Sequence, residues 1–408
     1  MRSSVCRLAL AIGAAACAAG PDPASTDTTL ASVQVATTGP FVGSAVVDAQ
    51  GDVFVTANAG LDQLTFAPGT VLPSTWNGVA PNFPNIELAL DGSTLWWAAG
   101  TTNGSGLWSA PPGSFVQNAG PTATFPNEGG DVVGLVADAT AVYAALSSPK
   151  PGSDSAVTVS PDSWQYPGTS VVNAPFSGDL YRIGTKPPSA PTRLAGTPAV
   201  TTFLPGMMLH VVAQGGAPAT GGSVYWADST PSANAIGRVM GAAKLTWGIT
   251  AGHEMGGATA VGGQPSGFVG LAATTSAVAW AVAPLPTPGA TGCRISAVLD
   301  ANAVVPKAAP IYEAAPGDVS FLCSGLALDT DYAYFAMVQV YVPPAGVDSA
   351  VVLGEGIGRV KLSTGDLTTV PLSTDRWYGA RRVLVDDTYV YAIDPQYVVR
   401  FPKTAFGP

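Results

Sequence analysis

The residues best suited to acid–base chemistry are two histidines and one neighbouring glutamate. His253 and Glu254 stand together in AGHEMGG, residues 251–257, and an imidazole beside a carboxylate can serve as a general acid and base. The stretch begins like the helix of zinc proteases, but it lacks the second histidine, and its glycines disfavour a helix. We therefore expect His253 and Glu254 in an exposed loop, as weak candidates for a lyase or hydrolase site. His210 falls inside a predicted strand, which indicates a core or channel histidine.

Other constellations that would carry chemistry are missing from the sequence. No serine stands in a G-x-S-x-G elbow, and neither a calcium loop nor a dinucleotide-binding glycine fingerprint occurs. The acidic residues are dispersed along the chain. We therefore expect no cofactor and no metal site.

The longest insertion between predicted strands, residues 147–178, carries aromatic residues flanked by prolines. Trp164 and Tyr166 in this insertion could stack on a sugar ring or a proline-rich peptide, and they are the candidate ligand-binding residues. The alternative is that the insertion is a lid packed on the domain, with its aromatic rings buried.

Two of the four cysteines lie outside the N-terminal leader. In an exported protein, Cys293 and Cys323 are expected to form a disulfide. Closing a loop of this length would stabilise the fold by about 3 to 4 kcal/mol in the chain-entropy model. The alternative is a pair of buried free thiols. No histidine accompanies the two cysteines at a zinc spacing, so a zinc site is excluded.

The composition favours an all-β protein. The chain has 408 residues, of which 11% are charged, 48 are Gly and 36 are Pro. Gly and Pro at this frequency suit many short strands and turns better than long helices. With a net charge of -10 and basic residues that are scattered apart from the pair Arg381 and Arg382, the chain offers no basic stripe for a phosphate backbone. Nucleic acid is therefore excluded as a partner.

A short apolar strand that ends in a polar residue recurs seven times. The copies are SAVVD 44–48, ELALD 87–91, GLVAD 134–138, HVVAQ 210–214, GLAAT 270–274, GLALD 325–329 and RVLVD 382–386. After a turn, each copy is followed by a second strand, and five of the seven centres of that strand come five residues after the end of the first strand. The centres are Phe54, Trp96, Tyr143, Tyr225, Ala279, Tyr334 and Tyr391.

Each unit continues with a third strand, and the first six also have a fourth. Four antiparallel strands in each repeat, with no helical period between repeats, predict a seven-bladed β-propeller over residues 28–408, because a lone four-stranded sheet must stack on neighbours to bury both faces. The seventh unit has three strands before the chain ends, and residues 28–36 resemble the missing outer strand. We expect this segment to pair beside residues 396–401 and remove an exposed edge. The alternative is a six-bladed ring with residues 382–408 as a tail.

The stretch VYWAD, residues 224–228, followed by IGRVM, residues 236–240, resembles the YWTD repeat of receptor and bacterial propellers and, more loosely, the NHL repeat. The resemblance implies a propeller, although Ala227 stands where that motif has threonine. We interpret the aromatic centres as packing between blades. The aspartates that end five of the first strands are interpreted as turn residues, and they are Asp48, Asp91, Asp138, Asp329 and Asp386.

The first seventeen residues have the features of a secretory signal, with two arginines before an apolar run. The segment ending at Cys17 also resembles a bacterial lipobox, although Ala14 stands where leucine is preferred. Cys17 is thus a candidate lipidation site, with plain cleavage after Ala16 as the alternative. Residues 18–27 would be a tether. We expect an exported protein of the cell envelope, either an outer-membrane lipoprotein or a periplasmic or extracellular one, whose only membrane contact is a lipid anchor.

The predicted connections are unequal in length. Those from second to third strand include residues 147–178, 228–235, 283–292 and 338–356, and those from fourth to first strand include residues 73–86, 197–209, 253–268 and 307–323. In a propeller both sets emerge on one face, here called the loop-rich face. Because a rigid scaffold varies its loops without losing its core, we expect a monomeric binding scaffold that holds an unknown glycan, peptide or protein on this face. The alternatives are an envelope enzyme with a site at the channel mouth and a purely structural envelope component.

Overall fold

The computed structural model describes twenty segments of the chain. They are 44–57, 60–70, 74–81, 87–101, 104–112, 121–125, 131–149, 176–186, 188–196, 208–214, 223–228, 238–243, 253–257, 266–284, 292–301, 306–314, 319–341, 351–371, 382–393 and 398–407. In these segments the chain is β-strand, turn and one 3-10 helix, Lys403–Phe406. Within the same segments, no helix is long and apolar enough to cross a membrane.

The strands form antiparallel sheets, which we number 1 to 7 in chain order. Sheet 1 consists of β1 Ala45–Val47, β2 Val53–Ala57, β3 Gly60–Thr65 and β4 Thr75–Pro81, and sheet 2 of β5 Glu87–Leu90, β6 Leu95–Thr101, β7 Gly104–Ala110 and β8 Ala123–Thr124. Sheet 3 consists of β9 Asp131–Ala137, β10 Ala141–Pro149, β11 Phe176–Gly184 and β12 Thr192–Gly196. Sheet 4 consists of β13 Met208–Gln214, β14 Ser223–Asp228, β15 Arg238–Ala243 and β16 His253–Gly257.

Sheets 5 to 7 complete the described fold. Sheet 5 consists of β17 Ser266–Ala273, β18 Val278–Pro284, β19 Cys293–Val298 and β20 Ala309–Ala314. Sheet 6 consists of β21 Val319–Leu328, β22 Tyr332–Tyr341, β23 Val351–Lys361 and β24 Leu367–Pro371. Sheet 7 consists of β25 Arg382–Val385, β26 Tyr389–Ile393 and β27 Val398–Pro402. Within every sheet, each strand pairs with the next one along the chain.

The sheets pack against one another through their faces, and their first strands lie side by side. Strands β5 and β25 both adjoin β1, and β9, β13, β17 and β21 adjoin one another in turn. The first strand of each sheet is therefore the inner one, and the later strands lie progressively further out. An all-β chain folded into stacked antiparallel sheets with neighbouring inner strands is a β-propeller.

The aromatic centres of the second strands pack between sheets, as predicted. Phe54 lies in a cluster shared by sheets 1 and 2, Trp96 in one shared by sheets 2 and 3, and Tyr225 in one shared by sheets 4 and 5. Tyr334 packs between sheets 6 and 7, and Tyr391 packs between sheets 7 and 1. Each of these centres thus contributes its side chain to the interface with the next sheet.

Sheet 7 differs from the others because only three of its strands lie in the described residues. Its face packs on sheet 1, where Tyr391, Ile393 and Val398 meet Val53 and Val55. The segment 28–36, which we expect beside β27, lies outside the described residues. So do the predicted leader and the tether.

Several stretches that the sequence indicates as long connections contain strands. Residues 73–86 include β4, 253–268 begin with β16, 307–323 include β20, and 338–356 belong largely to the ends of β22 and β23. For β4, β16 and β20 the prediction was wrong because outer strands face solvent and need no apolar run. The sequences TWNGVAP of β4 and HEMGG of β16 show this clearly. By contrast, β22 and β23 are internal strands that extend further than the sequence indicates.

Cys293 and Cys323 form a disulfide that joins two neighbouring sheets. Cys293 begins β19 of sheet 5, Cys323 lies within β21 of sheet 6, and their Cα atoms are 5.6 Å apart. Both residues are buried in the cluster that these sheets share. The bond therefore cross-links an interface that is otherwise held by apolar packing.

Replacing both cysteines by alanine should lower the free energy of unfolding by about 3 to 4 kcal/mol, because the unfolded chain loses a closed loop. Chemical denaturation of the full chain measures this loss, and the unmutated chain under a thiol reductant is the matched control. Equal unfolding midpoints for oxidised, reduced and substituted chains would contradict a structural cross-link.

Candidate functional site

Aspartates at the ends of the inner strands each organise a turn. Asp329 Oδ1 accepts hydrogen bonds from the backbone N–H groups of Asp331 and Tyr332, at 3.0 and 2.9 Å, and its Oδ2 accepts one from the Tyr334 hydroxyl at 2.8 Å. Asp386 Oδ1 likewise accepts hydrogen bonds from the backbone N–H groups of Thr388 and Tyr389. Its Oδ2 accepts one from the Tyr391 hydroxyl at 2.6 Å. The aspartates are thus turn residues, as predicted, and they also hold the aromatic centres.

The same arrangement recurs in sheet 2 with a different aromatic residue. Asp91 Oδ1 accepts from the N–H groups of Ser93 and Thr94, and its Oδ2 accepts from Trp96 Nε1 at 3.2 Å. The five-residue offset in the sequence therefore has a physical cause, since it places the polar tip of the aromatic centre over the carboxylate that ends the preceding strand. Sequence reasoning found the offset but missed this bond.

The ionisation of these groups fits a structural role. Burial raises the pKa of Tyr334 and Tyr391 well above the ordinary tyrosine value, and the bonded aspartates raise them further. Burial and the charge of Asp138 raise the pKa of Tyr143 to about 12, against opposing contributions from Arg182. Burial opposes ionisation of Asp329, but hydrogen bonds from Lys403, Asp331 and tyrosines outweigh it and hold its pKa below 3.8. The tyrosines stay neutral and Asp329 stays charged at neutral pH.

Buried arginines opposite two aromatic centres tie each sheet to the next. Arg359 pairs with Tyr334 across the strands, and its Nη2 donates to the carbonyl of Phe406 at 3.0 Å. Arg400 pairs with Tyr391, and its Nε and Nη2 donate to the carbonyls of Thr70 and Ala67, at 2.9 and 2.8 Å. Sequence reasoning missed both arginines, although each stands at the same register position of a third strand.

A second set of polar residues lies at the opposite ends of the inner strands, on the loop-rich face. In five sheets the inner-strand residue that pairs with the second residue after the centre of the second strand is polar. The cross-strand pairs are Ser44 with Thr56, Glu87 with Ala98, His210 with Ala227, Ser324 with Ala336, and Arg382 with Ile393. We call the region around Ser44, Glu87 and Arg382 the axial mouth.

Three of these residues are in contact across three sheets. Arg382 Nη2 lies 3.0 Å from Glu87 Oε1 and 3.2 Å from Oε2, although 295 positions separate the two residues in the chain. Ser44 Oγ donates to Glu87 Oε2 at 3.1 Å and accepts from the backbone N–H of Leu88 at 3.1 Å. Because β1 lies between β5 and β25, the carboxylate and the guanidinium meet beside the end of β1.

The two charged side chains of the axial mouth differ in exposure. The Glu87 side chain is 8% exposed, whereas that of Arg382 is 37% exposed. The hydrogen bonds from Arg382 and Ser44 replace the water that this buried carboxylate has lost. The accessible group of the axial mouth is therefore a guanidinium held from below by a buried carboxylate.

Glycine occupies the equivalent register position in sheets 3 and 5, as Gly134 and Gly270. A Cβ atom at Gly270 would lie 2.7 Å from the Cβ of Leu326 and 2.9 Å from the carbonyl carbon of Gly325. Glycine is therefore required there because the inner strands of sheets 5 and 6 approach closely. The described polar side chains of this level lie in the other sheets, as Ser324 in sheet 6, Arg382 in sheet 7, Ser44 in sheet 1 and Glu87 in sheet 2.

The residues that the sequence suggested for catalysis lie elsewhere. His253 and Glu254 are on β16, the outermost strand of sheet 4, and Glu254 is exposed. Their expected position in a loop was wrong, because the segment pairs with β15. Three strand spacings, about 14 Å, separate β16 from the inner strand β13 that carries His210. The structure thus does not bring His253 and Glu254 to the axial mouth.

The other candidate residues fall outside what the structure describes. This holds for Trp164 and Tyr166 in the insertion and for Cys17 in the leader. The side chains of His210 and His253 are likewise not described, so only their strands are placed. Within the described segments, no group of three or more His, Cys, Asp or Glu residues could hold a metal ion.

Comparison with known proteins gives similarity only at the level of solved structures. No protein-family model and no curated protein matches the chain. The chain is similar to virginiamycin B lyase from Staphylococcus aureus, with 10% identity and a TM-score of 0.45 over 90% of this chain and 96% of the lyase. It is also similar to YCF48 in a structure with the D1 peptide, with 11% identity and a TM-score of 0.47 over 91% and 96% of the chains.

A prolyl endopeptidase is a third similar structure, with 10% identity and a TM-score of 0.48 over 81% of this chain and 42% of the peptidase. The chain therefore spans less than half the length of that enzyme. At these identities the likeness concerns the fold, so the propeller assignment rests on the sheet topology and packing given above.

Replacing Asp329 by asparagine should destabilise the protein by about 1–2 kcal/mol at pH 7, since Lys403 and the turn lose a charged acceptor. The folded-state pKa of Asp329 is lowered, so its contribution is present above the unfolded-state pKa and is lost as pH falls through the folded value. The gap in melting temperature between D329N and the unmutated chain should therefore narrow below about pH 4.

The exposed neighbour Asp331 provides the control for this measurement. D331N removes the same charge from the same turn but keeps the bonds from Lys403 and Tyr334 to Asp329. Its melting temperature should stay near that of the unmutated chain. A D329N gap of constant size from pH 7 to pH 3 would contradict the assignment.

Proposed function

We propose that this protein is an exported, seven-bladed propeller that acts as a binding scaffold through its loop-rich face. The observation that carries the proposal is the axial mouth, where a one-third-exposed arginine stands on a buried carboxylate at the ends of three inner strands. An accessible charged group on a rigid support is the arrangement expected of a recognition site. The partner we propose is a glycan, a peptide or another protein.

Binding is favoured over catalysis because of how the polar groups are used. Glu87 is committed to Arg382 and Ser44, and the polar ends of the aromatic centres are committed to the turns. The enzyme alternative depends on His253 and Glu254, and their strand lies on the outside of sheet 4. A lyase or hydrolase at the axial mouth would need other residues.

The proposal includes export and anchoring. We propose that residues 1–17 are a signal peptide whose Cys17 is acylated, and that residues 18–27 tether the propeller to the outer membrane. The repeats would belong to the YWTD or NHL-like type. These proposals rest on the sequence features of the leader and on the stretch 224–240.

The array experiment that tests the function uses the full chain in detergent on printed glycans and peptides. Binding of a defined class is expected, and a variant in which a Gly/Ser linker replaces residues 150–175 should bind it more weakly, because this insertion carries the candidate ligand-binding residues Trp164 and Tyr166. The matched control is D387N, which changes an exposed residue in a turn on the opposite face. The absence of any bound class, or a loss of binding caused by D387N, would contradict the proposal.

Closure of the ring is proposed to depend on residues 28–36 pairing beside β27 as the fourth strand of sheet 7. Deleting this segment should expose the edge of β27 and cost several kcal/mol, a large share of the ~5 to 15 kcal/mol that stabilises a domain. Thermal unfolding measures the effect, and deletion of residues 18–27 alone is the control. A melting temperature unchanged by the first deletion would favour the six-bladed alternative with a C-terminal tail.

A further inference from the structure

The accessible charge of the axial mouth has a sign opposite to that of the protein as a whole. The chain carries a net charge of -10, yet the exposed charged group among the described residues of this mouth is the Arg382 guanidinium, because Glu87 is buried. Because Glu87 offsets the charge of Arg382, the guanidinium acts on an anion at close range, through its accessible part, and not through a net positive field.

The guanidinium is also fixed in position before a ligand arrives. Glu87 holds Arg382 Nη2 with both carboxylate oxygens, and Ser44 holds Glu87 in turn. Ser44 is itself held, because its N–H donates to Thr56 Oγ1 at 2.7 Å. An arginine that is already oriented loses less side-chain entropy on binding than a mobile one.

The geometry of a guanidinium selects for particular ligands. Its planar donors can match the two oxygens of a carboxylate, and the contact with Glu87 is made through a single nitrogen, Nη2. A neutral sugar or an amide offers no such pair of charged oxygens. Arginine therefore favours a carboxylate over these neutral groups.

We propose that Arg382 anchors a carboxylate-bearing ligand at the axial mouth, with Glu87 and Ser44 as positioning residues. The proposal rests on the binding function proposed above and names the chemistry that the site takes. A carboxylate can come from the C terminus of a peptide or from an acidic sugar, and the two sources differ in the rest of the ligand.

Titration calorimetry on the full chain tests this proposal with two matched pairs of probes. One pair is a short peptide with a free C-terminal carboxylate and the same peptide as its C-terminal amide. The other pair is an oligogalacturonate and its methyl ester. We expect one of the two carboxylate probes to bind and its neutral counterpart to bind at least ~10-fold more weakly, as for the loss of a charged hydrogen bond.

Variants at the anchor then separate recognition from structure. R382Q should weaken binding of the carboxylate probe by roughly 10- to 100-fold and leave the affinity for the neutral probe unchanged. R382K keeps the charge but loses the planar pair of donors, so its affinity should be intermediate. The control is R193Q, because Arg193 is 51% exposed on β12 and also pairs with a buried carboxylate, that of Asp179. R193Q should bind like the unmutated chain.

The outcomes distinguish this inference from the scaffold function. Equal binding of charged and neutral probes, or full affinity in a folded R382Q chain, would overturn the carboxylate anchor while the array result for the scaffold stood. Binding of none of the four probes, alongside a neutral class found on the array, would overturn it in the same way. An array without any bound class would overturn both. Should R382Q fail to fold, the R382K affinity and the probe pairs still decide the question.

Discussion

A carboxylate that ends an inner strand and bonds the aromatic residue five positions later is the interaction on which much of this fold depends. In sheets 2, 6 and 7 the aspartate closes the first turn with one oxygen and fixes the next strand's aromatic centre with the other. The fixed ring then packs on the following sheet. A short-range turn therefore determines a long-range contact.

The pairing of the second and third strands also positions the arginines that form hydrogen bonds to the next sheet. Arg359 and Arg400 stand opposite Tyr334 and Tyr391, and their guanidiniums reach backbone carbonyls of the following sheet, beyond its third strand. Apolar packing alone is not directional, whereas these bonds fix how one sheet sits on its neighbour. Because these bonds fix the position of each sheet, the starts of the inner strands are also aligned with one another. This alignment places Arg382, at the start of β25, beside Glu87, at the start of β5.

The sequence predicted the repeat well but the site poorly, and the physical reasons differ. The described side chains of the second strands are buried on both faces and therefore leave an apolar signature, and all seven predicted centres lie in second strands. The outer strands β4 and β16 face solvent and have no apolar run, so the sequence predicts connections at these positions. The disulfide partners could be paired because only two cysteines lie beyond the predicted leader.

The axial mouth could not be found by any local rule, since Glu87 and Arg382 are far apart in the chain. A signal was nevertheless present in the aligned first strands. Ser44, Glu87, His210 and Arg382 all stand at the first position of the repeat, where a structural role alone would favour small or apolar residues. Comparing the repeats position by position for polar residues would have pointed to this level of the ring.

The claim that sheets 7, 1 and 2 meet at one polar site is tested most directly by a double-mutant cycle on Glu87 and Arg382. The free energies of unfolding of E87Q, R382Q and the double variant are compared with that of the unmutated chain. The account predicts a coupling of about 1–3 kcal/mol, so that the double variant loses less than the sum of the single losses. Additive losses would show that the two residues do not meet and would contradict the arrangement of these three sheets.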